Sequence, residues 1–159
     1  MILLSRIKTR WGVFAYGVCR GRLICSQLPD RRTPADRRLA ERFPEGTWQE
    51  DLMPDFQDQV SAYFMGDAVE FSVEVELSQQ AAFHQRVLKA CRRIPFGETA
   101  TYGELARRVG RPNAARAVGQ AMAANPLPVV IPCHRVVEAG GRLGGFSSRT
   151  GPSQKLRLL

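Results

Sequence analysis

The strictest alternation of apolar and polar residues lies near the middle of the chain. Between residues 69 and 77 every second side chain is apolar, and three glutamates and a serine lie between them. This period of two predicts a strand with one buried face. Residues 11–16 and 22–26 are shorter strand candidates, and helical patterns follow at 33–43, with Thr33 as N-cap, and at 54–65. The first half is therefore predicted to be a small α+β scaffold.

The second half of the chain is predicted to be mainly helical. A boundary at residues 78–80 divides the chain into predicted domains 1–79 and 80–159. A helix over 81–93 stops at an Ile-Pro-Phe-Gly segment. A helix–turn–helix pattern follows, with one helix over 102–109 and the next over 114–124. Their predicted N-cap residues are Thr101 and Asn113.

The second helix of this pair has an unusual composition. It consists almost entirely of small residues, with Arg116 near its start. A helix that reads bases in the major groove carries several long polar side chains. A smooth helix with a single arginine instead suits close approach to the DNA backbone or minor groove. The alternative is an alanine-rich helix packed in a core.

Charge is divided unevenly between the halves. Of the net +8, residues 1–79 carry 10 basic and 12 acidic side chains, a balance of −2, while residues 80–159 carry 13 and 3, a balance of +10. The basic half suits a polyanionic partner, although solvated arginines would give the same count. No apolar run reaches the roughly 20 residues needed to span a bilayer. The N-terminus is too short and too charged for a secretory signal, so a cytoplasmic protein is expected.

Chemistry concentrates in the hexapeptide at residues 131–136, Ile-Pro-Cys-His-Arg-Val. A thiol reacts as its thiolate, and a neighbouring base or positive charge promotes ionisation. His134 and Arg135 could both help Cys133 in this way. The alternative is a structural cysteine beside a surface histidine. The four cysteines have no regular spacing, so neither a disulfide framework nor a zinc site is expected.

Four segments together resemble the O6-alkylguanine-DNA alkyltransferase family. They are residues 94–99 with Tyr102, residues 114–119, residues 125–128 (Asn-Pro-Leu-Pro) and residues 131–137. Their order and approximate spacing match the family across residues 83–147. The resemblance implies an α+β protein with a ribonuclease-H-like N-terminal domain and a winged-helix-like C-terminal domain that contains the helix–turn–helix.

The resemblance also implies a reaction. Cys133 would take the alkyl group from O6-alkylguanine in duplex DNA, in a single turnover, after the damaged base is flipped out of the stack. His134 would draw off the thiol proton through a water, and Asn125 would brace the turn before Cys133. Arg116 would fill the gap in the duplex, and Tyr102 would press on the flanking phosphate. A monomer that needs no cofactor and no metal is expected.

The other implied site residues form two groups. Those expected at the DNA interface, mostly for close approach to the minor groove, are Ala114, Ala115, Gly119 and Arg135. Those expected to line the pocket for the base and its alkyl group are Met122, Pro128, Val136, Phe146 and Ser147.

Two departures from the family pattern keep alternatives open. Family members continue to a glutamate that orients the histidine, whereas this sequence ends at Leu159, leaving Glu138 and Glu98 as substitutes. The loop after Phe146 also differs. One alternative is a protein that binds and marks the lesion without transfer, but the family branch of that kind lacks the cysteine. A cysteine hydrolase is a weaker alternative, since adjacent residues rarely point at one another and the basic half would have no role.

Overall fold

The computed structural model describes residues 1–140 together with Leu158. The chain divides into two compact units, with the division between Glu76 and Leu77. Both helices and sheet are present, in agreement with the expected mixed α+β class. No helix in the described part of the chain is long and apolar enough to cross a bilayer.

The first unit contains a four-stranded sheet. Its strands are β1 (Ile2–Thr9), β2 (Gly12–Cys19), β3 (Arg22–Gln27) and β4 (Thr47–Trp48), in the order β3-β2-β1-β4. The first three pair antiparallel, and β4 pairs parallel with β1. The hydrophobic pattern does not predict β1, because the apolar residues of β1 do not alternate regularly with polar ones.

Two helices belong to this unit. α1 spans Ala35–Arg42 and α2 spans Pro54–Phe64. The N-cap prediction for Thr33 is wrong, because Pro34 occupies that position and makes no side-chain cap. The core of the unit is largely aromatic, with ring contacts that link Phe14, Tyr16, Phe56, Phe64 and Phe71.

The alternating segment at residues 69–77 is only partly as predicted. Its apolar side chains are more buried than the polar ones between them, as the pattern indicated. It forms no regular strand, however, and pairs with β3 through one bridge between Leu23 and Val75. The Leu23 amide donates to the Glu74 carbonyl at 2.9 Å and its carbonyl accepts from Glu76 at 2.9 Å. The alternation therefore predicted correctly which side chains are buried. Its prediction of a regular hydrogen-bonded strand was wrong.

The second unit carries the predicted helix–turn–helix. α3 (Ala82–Arg92) is followed by β5 (Ala100–Thr101), α4 (Tyr102–Arg108), α5 (Ala115–Ala123) and β6 (Val136–Val137). β5 and β6 pair in parallel, although more than thirty residues separate them. This pairing brings the segment after the cysteine motif beside the start of α4.

The two predicted N-caps in this unit have opposite outcomes. Thr101 forms a complete capping box: its hydroxyl accepts from the Glu104 amide at 3.0 Å, and the Glu104 carboxylate accepts from the Thr101 amide at 3.4 Å. Such a reciprocal pair satisfies two amides that the helix leaves unbonded. Asn113 is not the cap of α5, because Ala114 occupies that position.

Candidate active site

Cys133 is almost buried yet borders an open pocket. It begins a 3₁₀ turn, Cys133–Arg135, and is 3% exposed. The pocket has a volume of about 540 Å³. Its described lining comes from α4, α5 and the cysteine loop, namely Tyr102, Ala115, Arg116, Gly119, Met122, Ala123, Cys133 and Glu138. The thiol is thus shielded from bulk water but accessible to a molecule that enters the pocket.

Asn125 braces the buried turn that leads to the cysteine. Its side-chain amide donates to the Ile131 carbonyl at 3.0 Å, and its side-chain oxygen accepts from the Leu127 amide at 2.9 Å. Within this turn Val129 has a φ of 78°, a conformation that is rare for a β-branched residue. Buried backbone groups need partners, and Asn125 supplies two of them. The Ile131 carbonyl also accepts from the Cys133 amide at 2.8 Å, so the hydrogen bonds of Asn125 extend to Cys133.

His134 faces a different cavity from its neighbour. This buried imidazole lines a cavity of about 180 Å³, whose described lining also includes Glu98 and Arg135. Cys133 is absent from that lining, and His134 is absent from the lining of the larger pocket. Cys133 and His134, although adjacent in sequence, therefore line two different cavities. Of the two candidate carboxylates, Glu98 lies on the histidine side and Glu138 on the cysteine side.

Arg135 is buried and bonded within its own chain. It is 8% exposed, and its guanidinium donates to the Ile94 carbonyl at 2.7 Å and lies over the Phe96 ring at 5.6 Å. These contacts tie the cysteine loop to the segment after α3. They describe a positioning role, and the expected contact with DNA stays a prediction.

α5 presents small residues and one arginine to the outside. Ala115 and Arg116 are exposed, and Ala114 and Gly119 are half-buried. A Cβ added at Gly119 would meet its nearest atom, Tyr102 Cε1, at 4.0 Å, which is ordinary contact. A glycine inside a helix costs about 0.5–1 kcal/mol relative to alanine. Packing within the protein does not require a glycine at position 119. Its presence is therefore consistent with close approach of a binding partner to this face of α5.

Tyr102 and Glu138 lie at matching ends of the small parallel sheet. Thr101 pairs with Val137, and the next residue along each chain is Tyr102 or Glu138. Burial raises the pKa of the Tyr102 phenol, and the nearby charges of Glu138 and Cys133 raise it further. The Tyr102 phenol therefore keeps its proton to higher pH than an ordinary tyrosine does.

The residues expected to line the substrate pocket have mixed placements. Met122 borders the pocket with Cys133. Pro128 and Val136 are buried but do not belong to its described lining. Phe146 and Ser147 lie outside the described residues. Sequence reasoning missed Ala123 and Glu138 as lining residues, since their position depends on α5 and on the long-range β5–β6 pairing.

The described part of the chain offers no cluster of metal-binding side chains. Within residues 1–140 and at Leu158, no three His, Cys, Asp or Glu side chains lie close enough to hold one ion. The cysteines of this part of the chain are free thiols.

Comparison with known proteins identifies the family. The model for the 6-O-methylguanine DNA methyltransferase, DNA binding domain, matches residues 82–159. A methylated-DNA–protein-cysteine methyltransferase of Mycobacterium tuberculosis is 49% identical over 102 residues, which are 64% of this chain and 60% of that protein. The chain thus aligns with about three fifths of that relative's length. The protein of the same name from Haemophilus influenzae is 38% identical over 130 residues, 79% of this chain and 73% of its own length.

Solved structures agree with the sequence relatives. The crystal structure of Mycobacterium tuberculosis OGT in complex with DNA matches with a TM-score of 0.83 and 35% identity, covering 98% of this chain and 89% of that one. A cysteine pocket beside a helix–turn–helix is thus found in a fold shared over nearly the full length. The chain belongs to the methylated-DNA–protein-cysteine methyltransferase family, as its motifs predicted.

Proposed function

We propose that this chain is a DNA-repair enzyme that transfers an alkyl group from O6-alkylguanine in double-stranded DNA to its own Cys133, once per molecule. The observation that carries the proposal is the shared pocket. Cys133 lines it together with Arg116 and Gly119 of α5, the helix whose composition suits close contact with DNA. Its volume of about 540 Å³ falls in the usual range for sites that hold a small organic group.

DNA binding begins with α5 in the minor groove. The small side chains of Ala114 and Ala115, with Gly119, allow the helix backbone to approach the duplex closely. Flipping the damaged nucleotide costs a few kcal/mol. Arg116 offsets part of that cost by filling the vacated space in the stack. Tyr102 presses on the neighbouring phosphate and stands at the entrance to the same pocket.

The chemical step is a displacement at the alkyl carbon. The thiol proton leaves through a water toward His134, and the Cys133 sulfur attacks the carbon attached to guanine O6. The C–S bond forms as the C–O6 bond breaks, and that bond's electron pair stays with the purine. The purine takes up one proton, so ordinary guanine remains in the DNA. Glu98 shares the smaller cavity with His134 and is the better candidate of the two carboxylates for orienting the imidazole.

The product explains single turnover. A thioether on Cys133 is stable, and the proposed chemistry uses no cofactor or metal that could remove it. We assign this work to residues 80–159, as a winged-helix-like domain, and a scaffold role to residues 1–79, as a ribonuclease-H-like domain. The protein acts as a monomer on alkylated duplex DNA.

The test is the stoichiometry of repair. A duplex with one O6-methylguanine is mixed with rising amounts of protein, digested to nucleosides, and assayed for restored guanine. We expect one guanine restored per protein molecule and no further repair with time. Lesion-selective binding without restored guanine would replace the proposal with a damage-marking role. Several guanines restored per protein would contradict the suicide reaction.

A further inference from the structure

Carboxylates are scarce in the basic half of the chain, and each has a distinct environment. Residues 80–159 contain 13 basic side chains but only Glu98, Glu104 and Glu138. Glu104 belongs to the capping box of α4. Glu98 lines the cavity that contains His134. Glu138 is left as the carboxylate that borders the cysteine pocket.

The backbone places Glu138 at the edge of the pocket that Cys133 lines. β6 ends at Val137, whose partner in β5 is Thr101, so Glu138 emerges beside the start of α4. Glu138, Cys133 and Tyr102 all line the same pocket, and the charges of Glu138 and Cys133 both raise the pKa of the Tyr102 phenol. Charges that line one pocket shielded from bulk water interact more strongly than the same charges in open solvent.

Among the described lining residues, one other side chain is charged. This side chain is Arg116, and the remaining described lining residues are uncharged. Within residues 1–140, Glu138 forms no ion pair within 4.0 Å. In the proposed function Arg116 enters the DNA stack, which moves its charge away from the pocket. Bound DNA also excludes water from the entrance, which strengthens electrostatic interactions inside.

We infer that Glu138 is a specificity-determining residue that disfavours transfer of negatively charged alkyl groups. The inference rests on the proposed function. An adduct such as O6-carboxymethylguanine brings a carboxylate into the pocket that Cys133 and Glu138 both line. Like charges within one pocket repel, so both entry of the base and attack by the sulfur become less favourable. A neutral alkyl group meets no such repulsion.

The test compares three lesions that separate charge from size. Transfer rates are measured for duplexes with O6-methylguanine, O6-carboxymethylguanine and O6-carbamoylmethylguanine, the last being the neutral amide of the second. For Glu138→Gln we expect the rate with the carboxymethyl lesion to rise about five- to tenfold relative to methyl, as expected for a partly solvated charge pair. The carbamoylmethyl-to-methyl ratio should stay the same. High salt should reduce the difference between the variant and the native protein.

A control variant and the methyl duplex separate failure of this inference from failure of the proposed function. Glu45→Gln, which neutralises an exposed carboxylate in the first unit, should leave every ratio unchanged. Equal changes for the carboxymethyl and carbamoylmethyl lesions would assign Glu138 a steric role and overturn the inference. Unchanged ratios in Glu138→Gln would overturn it as well. Failure of the native protein to transfer even methyl would instead refute the proposed function, and the methyl duplex reveals that directly.

Discussion

Two buried cysteines, one in each unit, differ in what surrounds them. Cys25 lies on β3, packed with apolar side chains that include Leu4 and Leu39, and burial raises the pKa of its thiol to about 11. Cys133 is nearly as buried, but it borders a pocket and precedes His134. In the proposed function Cys133 is the reactive thiol, so burial does not distinguish it from the structural Cys25. The two thiols differ in access, since Cys133 borders a pocket and Cys25 is packed among apolar side chains.

Removing each thiol in turn should give the largest contrast. Cys133→Ser should abolish alkyl transfer while lesion binding persists, because a serine hydroxyl ionises far less readily than a thiol. Cys25→Ala should lose stability through its small cavity but keep one transfer per folded molecule. Both are measured by restored guanine and by binding to the lesion duplex. Transfer that survives Cys133→Ser would refute the assignment of the acceptor.

Arg116 should have the next largest effect. Arg116→Ala should weaken lesion binding and slow transfer together, each by about tenfold to a hundredfold, because the flipped state loses the side chain that fills the stack. Arg31→Ala removes the same charge from an exposed position in the first unit and serves as the control. Fluorescence binding and single-turnover rates measure the two effects. If both values stay at the native level, Arg116 does not act as the finger.

Substitution of Asn125 should reduce both the stability of the protein and its rate of alkyl transfer. Asn125→Asp keeps the acceptor for the Leu127 amide but loses the donor to the Ile131 carbonyl. A buried group left without its partner costs about 1–3 kcal/mol, and Cys133 should become less well positioned. We expect a lower free energy of unfolding in urea and slower transfer. Asn113→Asp, in the exposed turn before α5, is the matched control for stability and should have little effect on it. A stable, fast Asn125→Asp variant would exclude the brace.

The pKa of Cys25 predicts an alkaline loss of stability. Its folded pKa of about 11 lies above the reference value of 9.0, so the unfolded thiol ionises first as pH rises. Stability from this group is complete below pH 9 and declines on the order of 2 kcal/mol toward pH 11. Tyr16, whose phenol pKa is raised by burial, acts in the same direction. Urea unfolding at several pH values should show that the free energy of unfolding falls less with pH in Cys25→Ala than in the native protein. An identical fall in both proteins would show that Cys25 is not the cause.

Substitution of Gly119 should have the smallest effect on stability. It should raise the stability of the free protein but lower its affinity for DNA. Gly119→Ala should stabilise the free protein by about 0.5–1 kcal/mol, since the added methyl group has room and the helix gains propensity. The same methyl group should weaken DNA binding if the helix backbone approaches the duplex. Thermal unfolding and a binding titration measure the two. Binding that stays at the native level would mean that α5 does not lie that close.

Local signals accounted for much of the second unit. The helix–turn–helix and the Thr101 cap depend on neighbouring residues, and the capping box is visible in the sequence as Thr101 with Glu104. Cap predictions at Thr33 and Asn113 were each wrong by one position, because the residue that follows each of them occupies the cap position. Such one-residue shifts are common at helix ends.

What the sequence could not predict depends on long-range pairing. The position of Glu138 follows from β5 and β6, two short strands far apart in the chain. The buried state of Arg135 follows from the carbonyl of Ile94, which no local pattern indicates. The resemblance supplied Asn125, and the structure supplied its two hydrogen bonds.

The role of Cys133 as acceptor is tested most directly by following the transferred group itself. A duplex with O6-trideuteromethylguanine is mixed with native protein, which is then digested and mapped by mass spectrometry. We predict one trideuteromethyl group per molecule, on the peptide that contains Cys133, with the Cys25 peptide unmodified. A label on another residue, or restored guanine with no label on the protein, would contradict transfer to Cys133.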